Sequence, residues 1–222
     1  MQRFGALALV VCVLIVVLGL SLGRHRKRLF AQKPQIKEFD PNSLLFSLPT
    51  ICDEAPPTVQ SAGHDNSDAF RMHEDDWRQI EFIAREALPQ IDHEMADLEA
   101  FKTANRAPVG WKKVYVRTER RNGLSPSRLP YGLVDSIPHG ATQTLTIGTP
   151  GQEMAVEGGF AARLGPTLFM YGRQSQGVLV DLGLNRSPNE NESTQTQSLL
   201  ALCKKFNLVI VDWCAGRVIG RP

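Results

Sequence analysis

The sequence predicts an α+β protein: an N-terminal transmembrane helix, then one small domain with a long amphipathic helix packed on a largely antiparallel sheet. Three observations carry that expectation. Residues 5–23 read GALALVVCVLIVVLGLSLG without a charge, and at ~1.5 Å per residue such a helix matches the ~30 Å hydrocarbon core of a bilayer. Apolar residues recur at helical spacing through Ile80, Ala84, Leu88, Ile91, Met95, Leu98 and Phe101, one face of a helix built to be buried. Beyond Pro108 the period drops to two, as in strands with one wet side. Helix, hairpin-linked strands, helix and strand follow one another in an α+β order.

The chain divides into a short tail (1–4), the span (5–23), a basic juxtamembrane segment with a proline-containing tether (24–72), and the globular domain (73–222). Arg24, His25, Arg26, Lys27 and Arg28 follow the span, whereas Arg3 is the only basic side chain before it. The positive-inside rule therefore favours a cytoplasmic domain. A cleaved leader has a shorter apolar core of ~7–15 residues, and an exported domain on a signal anchor is the third arrangement. Lipid is expected to meet the chain through residues 5–28, where each base near an anionic surface contributes ~1 kcal/mol. The tether carries Pro34, Pro41, Pro49, Pro56 and Pro57, and is interrupted by the apolar patch Leu44, Leu45, Phe46 and Leu48. That patch has three possible uses: docking on the domain, lying in the membrane interface, or binding a partner.

Within the domain, Asp75 or Asp76 suits the N-terminus of the long helix. Pro89 marks a kink or a junction of two helices near Leu88. Glu81 and Arg85 are placed as an exposed i, i+4 pair. Lys112 to Thr118 reads as a strand with Val114 and Val116 inward and Lys113, Tyr115 and Arg117 outward. Thr142 to Gly148 is a strand with Leu145 and Ile147 inward. Thr149-Pro150-Gly151-Gln152 fits a type II turn, returning into Glu153 to Glu157, with Gly158, Gly159 and Gly165 as punctuation. Thr167 to Tyr171 and Gly177 to Leu182 form a hairpin, Ser193 or Thr194 starts a second helix that stops near Asn207, and Leu208 to Trp213 is the most apolar strand.

Composition excludes little, because the net charge of +2 averages opposing blocks. Glu74 to Glu99 is acidic, and Arg106 to Arg128 is basic through Lys112, Lys113, Arg117, Arg120 and Arg121. Cys12 falls in the span, leaving Cys52, Cys203 and Cys214 with no CxxC spacing, a set that fits neither a disulfide framework nor a structural zinc site.

Several side chains have the chemistry of a site. His93 and Asp97 are one helical turn apart, and His73 stands beside Glu74, Asp75 and Asp76; a solvated acidic face and helix capping explain them without metal. Asp135, Ser136 and His139 contain the types of a hydrolytic triad, though no nucleophile elbow surrounds the serine. Asp181 and Asp212 close apolar strands, where burial can raise a carboxyl pKa. No glycine loop supports a nucleotide site, and no catalytic, cofactor or metal-ligating residue is assigned.

The function expected is a membrane-anchored binding or assembly module with a protein partner. The alternatives are an anchored hydrolase of unknown substrate, and a nucleic-acid contact through the basic strand at Lys113, Tyr115 and Arg117.

Overall fold

The computed structural model describes residues 44–60, 68–118, 124, 129–137, 140–186 and 193–221. The run at 5–23, expected from sequence as a transmembrane helix, and the basic cluster at 24–28 lie outside them. Among the described residues no helix is long and apolar enough to cross a membrane.

The described strands are β1 (Thr50–Cys52), β2 (Thr58–Val59), β3 (Phe70–Met72), β4 (Ile80–Ala84), β5 (Tyr115–Arg117), β6 (Thr142–Ile147), β7 (Met154–Arg163), β8 (Leu168–Ser175), β9 (Val178–Arg186), β10 (Leu208–Asp212) and β11 (Arg217–Ile219). The helices are α1 (Leu88–Asn105) and α2 (Ser193–Phe206). The main sheet has the order β11-β10-β4-β9-β8-β7-β6-β3, with β2 added on β7; β1 and β5 form a separate parallel pair. Apart from the parallel β3–β6 pair, the main sheet is antiparallel.

Leu208–Asp212 shows why this sheet is covered on both faces. Val209, Ile210 and Val211 are β-branched, which favours a pleated strand, and all five residues of β10 are buried. Alternation sends Val209 and Val211 to one face, where Ile83, Ile91, Met95, Leu98 and Trp213 pack around them. Leu208 and Ile210 turn to the other, against Phe82, Leu199, Leu202 and Cys203. Thus α1 covers one side and α2 the other. Each fully buried aliphatic side chain contributes roughly 1.5–3 kcal/mol. At the far end of the sheet Met72, Trp77, Leu145, Ile147, Val156, Ala161 and Tyr171 make a second core.

The α+β class, the mostly antiparallel sheet and the long helix agree with the sequence, and the differences have identifiable causes. The helical stripe does not begin at Ile80: Ile80–Ala84 is a strand, and the helix starts at Leu88 with Pro89 in its first turn. A proline there gives up an N–H that no helical carbonyl would have received, so it starts the helix instead of kinking it. Glu74–Asp76 is a single 3-10 turn, capped by the Asp75 N–H donating to His73 Nδ1 at 3.2 Å and closed by the Trp77 N–H donating to Glu74 O at 3.1 Å. Three strands, β1 to β3, lie in the stretch read as a tether and pair with β5, β7 and β6. Their two or three residues are too short for any periodicity to reveal.

Other elements are longer than expected. The turn at Thr149 is closed by Gln152 N–H donating to Thr149 O at 2.9 Å, with Gly151 at φ 87°. Its return strand, however, runs on to Arg163 through Gly158. At φ 66°, a Cβ on Gly158 would lie 2.1 Å from the Gln174 carbonyl oxygen, so the close approach of β7 and β8 requires glycine. The β8–β9 hairpin extends to Arg186 around Gln176 and Gly177. Asn207 follows α2 in the left-handed conformation (φ 54°), a helix stop that asparagine tolerates.

Candidate interaction site

Strand β5 divides two charged regions. Its side-chain alternation is inverted relative to expectation, since Val116 is 54% exposed while Arg117 is 3% exposed. Arg117 is buried because β4 and the turn before it supply partners. Glu81 accepts from Arg78 Nε at 2.7 Å, from Trp213 Nε1 at 2.7 Å and from Arg117 at 3.5 Å. Arg117 also donates to Thr50 Oγ1 at 3.1 Å and to the Arg78 carbonyl at 3.0 Å, and its guanidinium lies 4.9 Å from the centre of the Trp213 ring. Arg78 holds a left-handed backbone (φ 56°) and donates its N–H to the Tyr171 hydroxyl at 2.8 Å.

Burial works against a charged Arg78, but Glu81, with Asp181 behind it, outweighs that and raises its pKa. For Arg117 burial prevails, aided by repulsion from Arg78, and the direction is downward. Burial also raises the Tyr171 phenol. Every member of this arginine, glutamate, arginine cluster has partners within the fold. The exposed Glu81–Arg85 helix pair is therefore replaced: Glu81 is inside, and Arg85 donates to the Gly220 carbonyl at 3.0 Å.

Across β5 lies an open groove of about 600 Å³, walled by Pro89, Gln90, His93, Glu94 and Asp97 of α1 and floored by Tyr115, Val116 and Thr118. The backbone explains its shape. Tyr115 N–H donates to Pro49 O, and Arg117 O accepts from Asp53 N–H, both at 3.0 Å. In a parallel pair the residues between such contacts point their N–H and C=O groups the other way, so Val116 offers both to the groove. Among the described residues no strand pairs with that edge. His93 and Asp97 approach to 3.7 Å on the groove wall with side chains 84% and 56% exposed. Groups so hydrated interact weakly.

The remaining candidate residues are dispersed. Asp181 on β9 is held by Arg173 Nε of β8 at 2.7 Å. Asp212 accepts from Ala215 N–H at 2.9 Å and from Arg217 Nε at 3.3 Å. The two acids thus serve separate ion pairs, one on the β8–β9 ladder and one on the β10–β11 ladder, and do not converge. Asp135 is exposed at the end of the 3-10 turn Tyr131–Ser136, and His139 lies outside the described residues. His73 and Asp75 approach at the surface, and among the described residues no group of three or more His, Cys, Asp or Glu is arranged to hold a metal. Of the basic strand, Lys113 is exposed and Arg117 is buried; Arg120 and Arg121 lie outside the described residues. Cys203 is buried and its thiol is pushed up to about 12 by burial; Cys214 is half-buried and pushed up to about 11, by burial and then by Asp212.

The ionic cluster and the groove were both missed in sequence. For the first a partial signal existed, because Glu81 interrupts the otherwise apolar run Ile80–Ala84, whereas Arg78 and Arg117 sit among polar and charged neighbours that gave no hint of burial. The groove depends on the β1–β5 pairing and had none. The chain matches no family model, no curated protein and no solved structure.

Proposed function

We propose that this chain is a single-pass, membrane-anchored binding or assembly module, with its domain on the cytoplasmic face and its recognition element in the groove between α1 and β5. The observation that carries this reading is the outward-facing backbone of Val116 on the floor of an open groove. An extended segment of a partner protein laid along β5 would add a strand there, its main chain bonding to Val116 and its side chains resting on Tyr115 and Pro89. The rigid support for that edge is the ionic cluster behind Arg117. The uncharged run at 5–23 and the basic residues that follow support the anchor and its orientation,.

The test uses the full chain reconstituted in vesicles and a displayed library of extended peptides. Selected peptides are expected to lose at least tenfold in affinity for the Val116→Pro variant, which lacks the N–H, and to keep most of it for Val116→Ala, which retains that N–H at the same exposed position. Equal binding by all three proteins, with unchanged circular dichroism, would reject the groove. Carbonate extraction and protease protection of intact vesicles test the anchor and its sidedness separately.

A further inference from the structure

The chain enters the described fold through an apolar surface that the domain leaves uncovered. Leu45 and Phe46 are 47% and 44% exposed, and Val109 is 76% exposed. They are brought together by backbone pairing: Phe46 N–H donates to Trp111 O at 2.8 Å, and Trp111 N–H donates to Phe46 O at 3.0 Å. Gly110 makes the approach possible, since at φ 78° a Cβ would lie 2.2 Å from the Phe46 carbonyl oxygen,. The apolar patch of Leu44, Leu45, Phe46 and Leu48 is thus held through the main chain of Phe46, while the side chains of Leu45 and Phe46 stay in solvent. Arg106, with its guanidinium 5.0 Å from the centre of the Trp111 ring, Lys112 and Lys113 are exposed beside it. Residues 44–50 and 105–115 contain these three bases and no acid.

From this juxtaposition we infer that residues 45–46 and 106–113 form a second, peripheral membrane contact whose partner is an anionic phospholipid surface. Leu45, Phe46 and Val109 enter the headgroup boundary, the half-buried indole of Trp111 sits at its level, and Arg106, Lys112 and Lys113 meet the phosphates. Charge complementarity selects anionic lipid, at about fivefold in binding for each base. Position strengthens the case. Twenty-one residues separate Gly23 from Leu45, a span of at most about 75 Å when fully extended. The inference rests on the anchored reading in one respect: with the anchor in the bilayer, a patch too weak to bind alone acts intramolecularly, at an effective concentration of order millimolar.

Native tryptophan fluorescence tests it, because Trp77 and Trp213 are buried at 3% and 1% exposure and Trp111 alone is near the patch. The full chain is reconstituted in vesicles of phosphatidylcholine with phosphatidylserine, made with plain or acyl-brominated phosphatidylcholine. Brominated lipid is expected to quench emission, more so with phosphatidylserine than without. Trp111→Phe is expected to remove the quenching, and Val109→Asp or the pair Lys112→Glu, Lys113→Glu to remove most of it, with circular dichroism unchanged. Equal emission from plain and brominated vesicles would overturn the contact and leave the surface to a protein partner. Quenching that survives the Val109 and lysine variants would overturn it as well. Carbonate extraction reads the anchor independently: a chain that resists extraction but is not quenched sinks the contact alone, whereas one that is quenched before the wash and released by it sinks the anchor alone.

Discussion

Val116 and Arg117 are neighbours on one short strand, and the regions they face contrast in how they use charge. Behind Arg117, two arginines and one glutamate are removed from water and every contact is made within the fold. In front of Val116, His93 and Asp97 stand at a similar separation from each other but remain hydrated. The residue types are comparable; the dielectric is not. Two charges 4 Å apart attract by about 1 kcal/mol in water and several times that near a protein interior, and a buried charge deprived of its partner is correspondingly costly. The buried cluster fixes where β1, β4 and β5 meet, and the exposed pair adds little to the groove wall,.

The strongest way to break this comparison is Glu81→Leu, which leaves Arg78 and Arg117 buried without their carboxylate. A loss of about 3–5 kcal/mol is expected, read as a drop in the denaturant midpoint of the full chain in micelles. A change below about 1 kcal/mol would mean that the cluster is hydrated after all.

An intermediate effect is expected from pH. The Cys214 thiol approaches Gln79 Oε1 at 3.2 Å on the buried side, and like Cys203 it keeps its proton longer when folded than the usual thiol value of 9.0. The folded state therefore binds more protons than the unfolded state above about pH 9. That contribution is fully present below pH 9 and is lost as the pH rises toward 11 for Cys214 and 12 for Cys203. The denaturant midpoint should fall over that window, and the fall should be shallower in the variant with Cys203→Ala and Cys214→Ala.

The smallest effect belongs to the groove. His93→Ala and Asp97→Asn should each change stability by less than about 0.5 kcal/mol. A larger loss from either would show that the groove wall is structural.

The parts of the fold legible in sequence were those settled by neighbours along the chain. The type II turn at Thr149–Gln152 needs only proline and glycine in order, and the end of α2 needs only a residue that tolerates the left-handed region at Asn207. Ile80–Ala84 was harder, because a buried strand and a helical stripe look alike over five residues. Asp181 and Asp212 were legible as acids at strand ends, but their pairing with separate arginines was not. The candidate groove was not legible, because Thr50–Cys52 has too few residues to declare itself a strand before it meets β5.

By itself the sequence determined the α+β class, the long helix and the apolar strand at Leu208, since periodicity and turn chemistry act over a few residues. Only the tertiary structure decided which face of β5 is inside. Alternation supplies two faces but does not orient them, and the choice fell to Arg117 because Glu81, thirty-six residues earlier, brings a carboxylate that offsets part of the cost of burying a guanidinium.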